Sequence, residues 1–97
     1  MFRHVVMFRW KPEAAEEQKQ AMAGELRKLP AQISELKAYH VGPDAGLRAG
    51  NFDFVVVADF EDRDGYVAYR DHPAHRSIID RYITPMAAER AAVQYEC

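Results

Sequence analysis

Phe2 to Trp10 alternates, with Phe2, His4, Val6, Phe8 and Trp10 on one side and Arg3, Val5, Met7 and Arg9 on the other. That is the period of two expected of a strand. Lys11 and Pro12 close the run and open a helix, with Glu13, Glu16 and Glu17 near the positive end of its dipole. Met22, Leu26, Leu29 and Ile33 then recur at spacings of four, three and four. They form one apolar stripe on a helix that Pro30 should break or kink near Leu29. A second strand is expected from Leu36 to Gly42, followed by a long hairpin loop over GPDAGLRAGN, Gly42 to Asn51. Phe52 to Phe60, FDFVVVADF, is the most strand-like stretch of the chain. Asp62 has the chemistry of an N-cap for a helix reaching Tyr69. Ile78, Ile79, Tyr82 and Ile83 mark a further helix that Thr84 and Pro85 should close or bend, and Ala92 to Cys97 alternates weakly as a last strand.

The order β-α-β-β-α-β predicts an α+β, ferredoxin-like fold, with a four-stranded antiparallel sheet and helices on one face only. The other face should then be polar, yet Val5 and Met7 on the first strand, and Phe52, Phe54, Val56 and Ala58 or their neighbours Val55 and Val57 on the third, put apolar side chains on both sides. A second copy of the same sheet is the simplest cover, which predicts a homodimer with its sheets facing in a dimeric α/β barrel. The 97 residues, nearly half of them apolar, suit one domain over 1–97 and leave too little chain for a second core. A net charge of −2 with both signs interspersed lacks the basic footprint of a nucleic-acid binder. No apolar run approaches a membrane span and no signal-peptide pattern opens the chain, so a cytoplasmic protein is expected. The single cysteine, Cys97, leaves no internal disulfide and no cysteine-based zinc cluster to expect.

The candidate chemistry lies in YRDHPAH, Tyr69 to His75. A residue before proline is pushed to extended backbone, so His72 should sit at an N-cap with Pro73 at the first helical position and His75 in the first turn. There the helix dipole disfavours a second positive charge, and His75 should be a neutral imidazole able to accept a proton. The competing reading makes His72 a cap and His75 a backbone-bonded histidine that fixes how two helices meet. A metal site would need a third ligand from a distance, from His4, His40 or Asp53, and Pro73 sends the two histidines in divergent directions; no metal and no cofactor are expected. His4 lies among aromatics as a core residue or a second polar contact in the same cavity. Tyr66 and Tyr69, at helical spacing, read first as core aromatics with a hydroxyl at the rim. Gly42, Gly46 and Gly50 match no phosphate-binding fingerprint.

Together RHVVMFRWKP, DFVVVADFED and YRDHPAH resemble the stress-responsive dimeric A/B barrel family, with HPAH and the amino-terminal HVV as the most specific parts. The resemblance implies ferredoxin-like homodimers with facing sheets. One branch of that family contains plant polyketide cyclases, which perform an intramolecular aldol condensation without cofactor. By that resemblance His75 is the base, Tyr69 supports it, and His4 shares the pocket. Two positions depart from the pattern: Phe54 stands where many members carry histidine, and Leu26 where the cyclase has tyrosine. The expectation is a small, apolar, carbonyl-bearing ligand walled by Phe8, Trp10, Phe54, Tyr66, Ile79 and Ile83. The enzyme reading requires a cavity of a few hundred Å3 reaching His75, with Tyr69 in hydrogen-bonding distance of it, and a packed, dry interior around His75 would sink it. The alternatives are a non-catalytic homodimer in which HPAH is structural, and a cofactor-free oxygenase.

Overall fold

The computed structural model describes residues 1–97. Its elements are β1 (Phe2–Trp10), α1 (Glu16–Arg27), α2 (Leu29–Gln32), β2 (Ala38–Pro43), β3 (Phe54–Phe60), α3 (Arg63–Asp71), α4 (Pro73–Ile78), a π-helical turn (Ile79–Ile83), α5 (Thr84–Met86) and β4 (Ala87–Glu96). The strands form one antiparallel sheet in the order β2-β3-β1-β4, the ferredoxin-like arrangement expected from the sequence.

The alternation in β1 sorts as read. His4, Val6 and Phe8 are buried under the helices, joined on β3 by Phe54, Val56, Ala58 and Phe60. Met22, Leu26, Leu29 and Ile33 meet them from α1 and α2, and all four are fully buried. Pro30 falls in the first turn of α2, where its missing N–H leaves nothing unpaired, and the chain breaks into two helices between Arg27 and Leu29.

Several boundaries differ from the sequence reading. Pro12 does not open α1; Lys11 to Ala14 form a turn, and the helix starts at Glu16. β3 begins at Phe54 rather than Phe52, because Asp53 spends its carboxylate on the backbone N–H of Trp10 (2.8 Å) and Phe52 lies under the Arg9 guanidinium. The expected helix through Ile83 changes pitch after Ile78. The π-helical turn brings Ile79 and Ile83 to one side. β4 starts five residues earlier than its weak alternation suggests, because pairing with β1 from Trp10 to Phe2 overrides the helical preference of AAERAA.

Helix α3 starts as predicted, with Asp62 Oδ1 accepting from the Gly65 N–H at 2.9 Å. A side chain at Gly65 would come within 3.2 Å of the Phe60 Cβ, so the glycine lets this first turn lie directly on β3. Asp62→Ala should lower stability by about 1 kcal/mol, read as a shifted urea midpoint with an unchanged slope.

The outer sheet face carries Val55 and Val57 on β3, Val5 and Met7 on β1, and Ala91 and Val93 on β4, in register across the strands. Met7 is 37% and Val93 56% exposed. Ion pairs border this apolar field at both ends, Arg3 on Asp59 in a bidentate fork (2.7 and 2.8 Å) and Arg9 on Glu89. Hydrogen bonding from Arg3 holds the Asp59 carboxyl below the usual carboxylate range. No helix is long and apolar enough to cross a membrane.

Candidate functional site

Extended backbone at His72 (φ −65°, ψ 134°) ends α3 and begins α4 in one residue. Its Nδ1 accepts from the Ala74 N–H at 3.0 Å, and Pro73 takes the first helical position. His75 follows in the first turn of α4 and turns back toward α3. Its Nδ1 lies 3.1 Å from the Arg70 carbonyl oxygen, which can only accept, so Nδ1 carries the proton and Nε2 keeps a free lone pair. The ring leans on Tyr69, with centroids 4.2 Å apart and planes 35° from parallel. The two histidines of HPAH therefore use their Nδ1 atoms on different partners, as Pro73 predicts.

His4 is 4% exposed and packs against Tyr66 at 4.9 Å between ring centroids. The Gln94 side-chain amide donates to its Nδ1 at 2.8 Å, which places the proton of the neutral ring on Nε2. Burial, with smaller contributions from the charges of Arg90 and His75, lowers its pKa to about 4. Burial likewise pushes His75 below its ordinary value, assisted by Arg76, Arg90 and His72 and opposed by the Arg70 carbonyl. Both rings are neutral at pH 7. For His75, as for His4, burial is the largest cause.

His4 and His75 line one cavity of about 130 Å3 between the helices and the sheet. Phe8, Ile79 and Ile83 form its apolar wall with Val6, Val56 and Leu26; Tyr66 and Tyr69 line it, and the exposed Arg70 and Arg90 stand at its rim. Of the expected wall residues, Trp10 and Phe54 are not there. Trp10 stacks on Phe8 at 5.6 Å and leans on Phe54 at 6.0 Å, beside the irregularity at Arg9 and Trp10, with Phe54 in the core.

Of the two conditions set for the enzyme reading, a cavity does reach His75, but neither is met in full. The cavity is smaller than a few hundred Å3, so it fits a ligand of few atoms. The Tyr69 hydroxyl does not reach His75; it pairs with the Tyr39 hydroxyl at 3.0 Å, and burial pushes its pKa up to about 12. Tyr69 meets the imidazole with its ring face alone. Gln94 and Arg90 went unrecognised because β4 reads weakly as a strand; the register opposite His4 and Phe8 is the signal that finds them.

The His4 environment has a consequence for stability. Between pH 6.5 and about 4 the unfolded chain holds a proton on this imidazole that the folded chain does not. Stability should therefore fall as pH drops through that window, by about 3 kcal/mol from this residue. Urea midpoints measured across it should flatten in His4→Phe, leaving the smaller slope of the same sign that His75 contributes.

A four-stranded sheet with helices on one face, an apolar opposite face, and two neutral imidazoles in a cavity between layers define a ferredoxin-like domain of the dimeric barrel type. The chain belongs to the stress responsive A/B barrel domain family, whose pattern matches residues 2–97. It is 30% identical to a stress-response A/B barrel domain-containing protein of Arabidopsis thaliana, over 95% of this chain and 92% of that one. A crystal structure of a dimeric ferredoxin-like protein from Thermobifida fusca superposes with a TM-score of 0.91 at 48% identity, covering 99% of this chain and 90% of the other. The hydroxynitrile lyase of Passiflora edulis shares the fold, with a TM-score of 0.84 at 19% identity over 97% of this chain and 90% of its own.

Proposed function

We propose that this protein is a homodimer whose protomers each bind a small, apolar, carbonyl-bearing molecule between sheet and helices and remove a proton next to its carbonyl. The observation that carries this reading is the complementary pair of imidazoles in one cavity: His75 with a free Nε2 lone pair, His4 with a proton on Nε2. His75 Nε2 takes the proton from the α-carbon, and the electron pair left behind moves onto the carbonyl oxygen. The neutral His4 donates its N–H to that developing oxyanion. Tyr69, tied to Tyr39, positions the His75 ring by stacking. The resulting enolate is set either to be reprotonated or to attack a second carbonyl of the same molecule, the aldol chemistry that the cyclase resemblance suggests. That the Passiflora lyase is built on this fold is compatible with such chemistry but, at 19% identity, says nothing of the side chains.

The direct test is deuterium exchange into the α-positions of hexan-2-one in D2O, followed by proton NMR. Exchange above the buffer rate in the wild type, lost in a His75 variant that folds, supports the proposal; no exchange above buffer removes it.

One observation favours a structural role for HPAH instead. His72 caps α4, and His75 bridges α3 and α4 through the Arg70 carbonyl and the Tyr69 ring, around a cavity of modest size. Under that reading His75→Ala loosens the joint between the helices, and no small carbonyl compound perturbs the cavity.

A further inference from the structure

The charge around the cavity has one sign. Arg70 and Arg90 stand at its rim, the His4 and His75 that line it are neutral, and no acidic side chain lines it. The Arg70 guanidinium is already used, forked onto Asp71 at 2.9 and 3.1 Å. Arg90 has no such partner: every ion pair of the chain is made by another cation. Its neighbour Glu89 points to the opposite face and holds Arg9. Arg90 stands opposite Phe8 on the edge strand β4, exposed yet lining the cavity, so its guanidinium stands at the rim of an apolar pocket.

We propose that the ligand of this cavity carries a carboxylate, held by the Arg90 guanidinium at the rim, so that the substrate class is a short-chain oxo acid. This inference rests on the cavity being a ligand site, as argued above. The planar fork of arginine matches a carboxylate with two parallel hydrogen bonds, and a water-poor apolar wall strengthens them. One free guanidinium balances one negative charge, which fits a carboxylate better than a phosphate of higher charge in 130 Å3. Dimensions agree as well. Arg90 lies four residues along β4 from Gln94, the partner of His4, a backbone separation of about 13 Å that the arginine stem shortens. An acid of a few carbons anchored at Arg90 would lay its chain along Phe8, Ile79 and Ile83 and bring its carbonyl toward the imidazoles. Arg90 also opposes protonation of both histidines, and a bound carboxylate would cancel that effect.

The test is NMR titration of the full chain with hexanoate and, separately, with hexan-1-ol, following the imidazole signals of His4 and His75 and the methyls of Ile79 and Ile83. The expected result is that hexanoate binds about tenfold more tightly than hexan-1-ol, the size of one charge-assisted pair. The advantage should disappear in Arg90→Gln, shrink with added salt, and come with an upward shift of the His75 titration. Equal binding of the two ligands, or unchanged hexanoate binding in Arg90→Gln, overturns the inference while leaving the cavity a ligand site. If neither compound moves the His4 and His75 signals, the inference and the ligand-site reading fall together. Because Arg90 is exposed and unpaired, Arg90→Gln should retain the wild-type unfolding midpoint, and loss of hexanoate binding can then be assigned to the missing charge.

Discussion

In His75→Asn, α-proton exchange into hexan-2-one should fall by about 10²- to 10⁴-fold, the range that a positioned general base contributes. Asparagine is the informative replacement because its amide nitrogen stands close to where Nδ1 of the imidazole stood. It can still donate to the Arg70 carbonyl, so the joint between α3 and α4 keeps its hydrogen bond while the proton acceptor at Nε2 is gone. The stability loss should stay near 1 kcal/mol, mainly from the lost stacking on Tyr69. The wild type should hold its exchange rate through neutral pH. It should lose activity only in acid, as the imidazole, shifted below its ordinary 6.5, takes up a proton. An exchange rate in His75→Asn equal to that of the wild type would rule out His75 as the base. A folded wild type with no exchange, together with a loss of several kcal/mol in His75→Ala, would instead support the structural joint.

Periodicity found the strands whose neighbours match their own alternation and missed those shaped by pairing. β1 and β3 alternate against a helix layer, so His4, Val6 and Phe8 could be assigned to one face from the chain alone. β4 has few large apolar residues and sits at an edge, so nothing local distinguishes Ala87–Ala91 from a helix; its register on β1 decides. The same limit governs the site. His72 and His75 were legible because proline constrains the residue before it and starts a helix, both local effects. The hydroxyl pair of Tyr39 and Tyr69 was not, since it joins residues thirty apart through a contact that only the packed helices create. Trp10 lies on the same face of its strand as His4, but the cavity takes in Phe8 and stops short of Trp10 and Phe54. Alternation assigns a side chain to a face and says nothing of its distance from a helix end.

Val57→Asp should convert the protein from a dimer to a monomer at micromolar concentration, with the dissociation constant raised by at least about 10²- to 10³-fold. Val57 lies at the middle of the outer face, beside Val5 on β1 and His40 on β2, and remains half-buried although no helix covers that side. In a single protomer an aspartate there stays in contact with water, and the loss is bounded by strand preference at about 1 kcal/mol. In a twofold pair of facing sheets the same carboxylate enters a dry interface, and symmetry places it there twice. Aspartate is too short to carry its charge to the rim, unlike a lysine with its flexible stem. Arg3 with Asp59 and Arg9 with Glu89 already satisfy one another within the protomer at the border of the face, so the apolar centre is the part whose burial would drive association. Sedimentation equilibrium, with circular dichroism to verify that the variant folds, gives the answer. A folded Val57→Asp protein sedimenting at the mass of two chains, or a wild type sedimenting as one, would show that some other surface or partner covers this face.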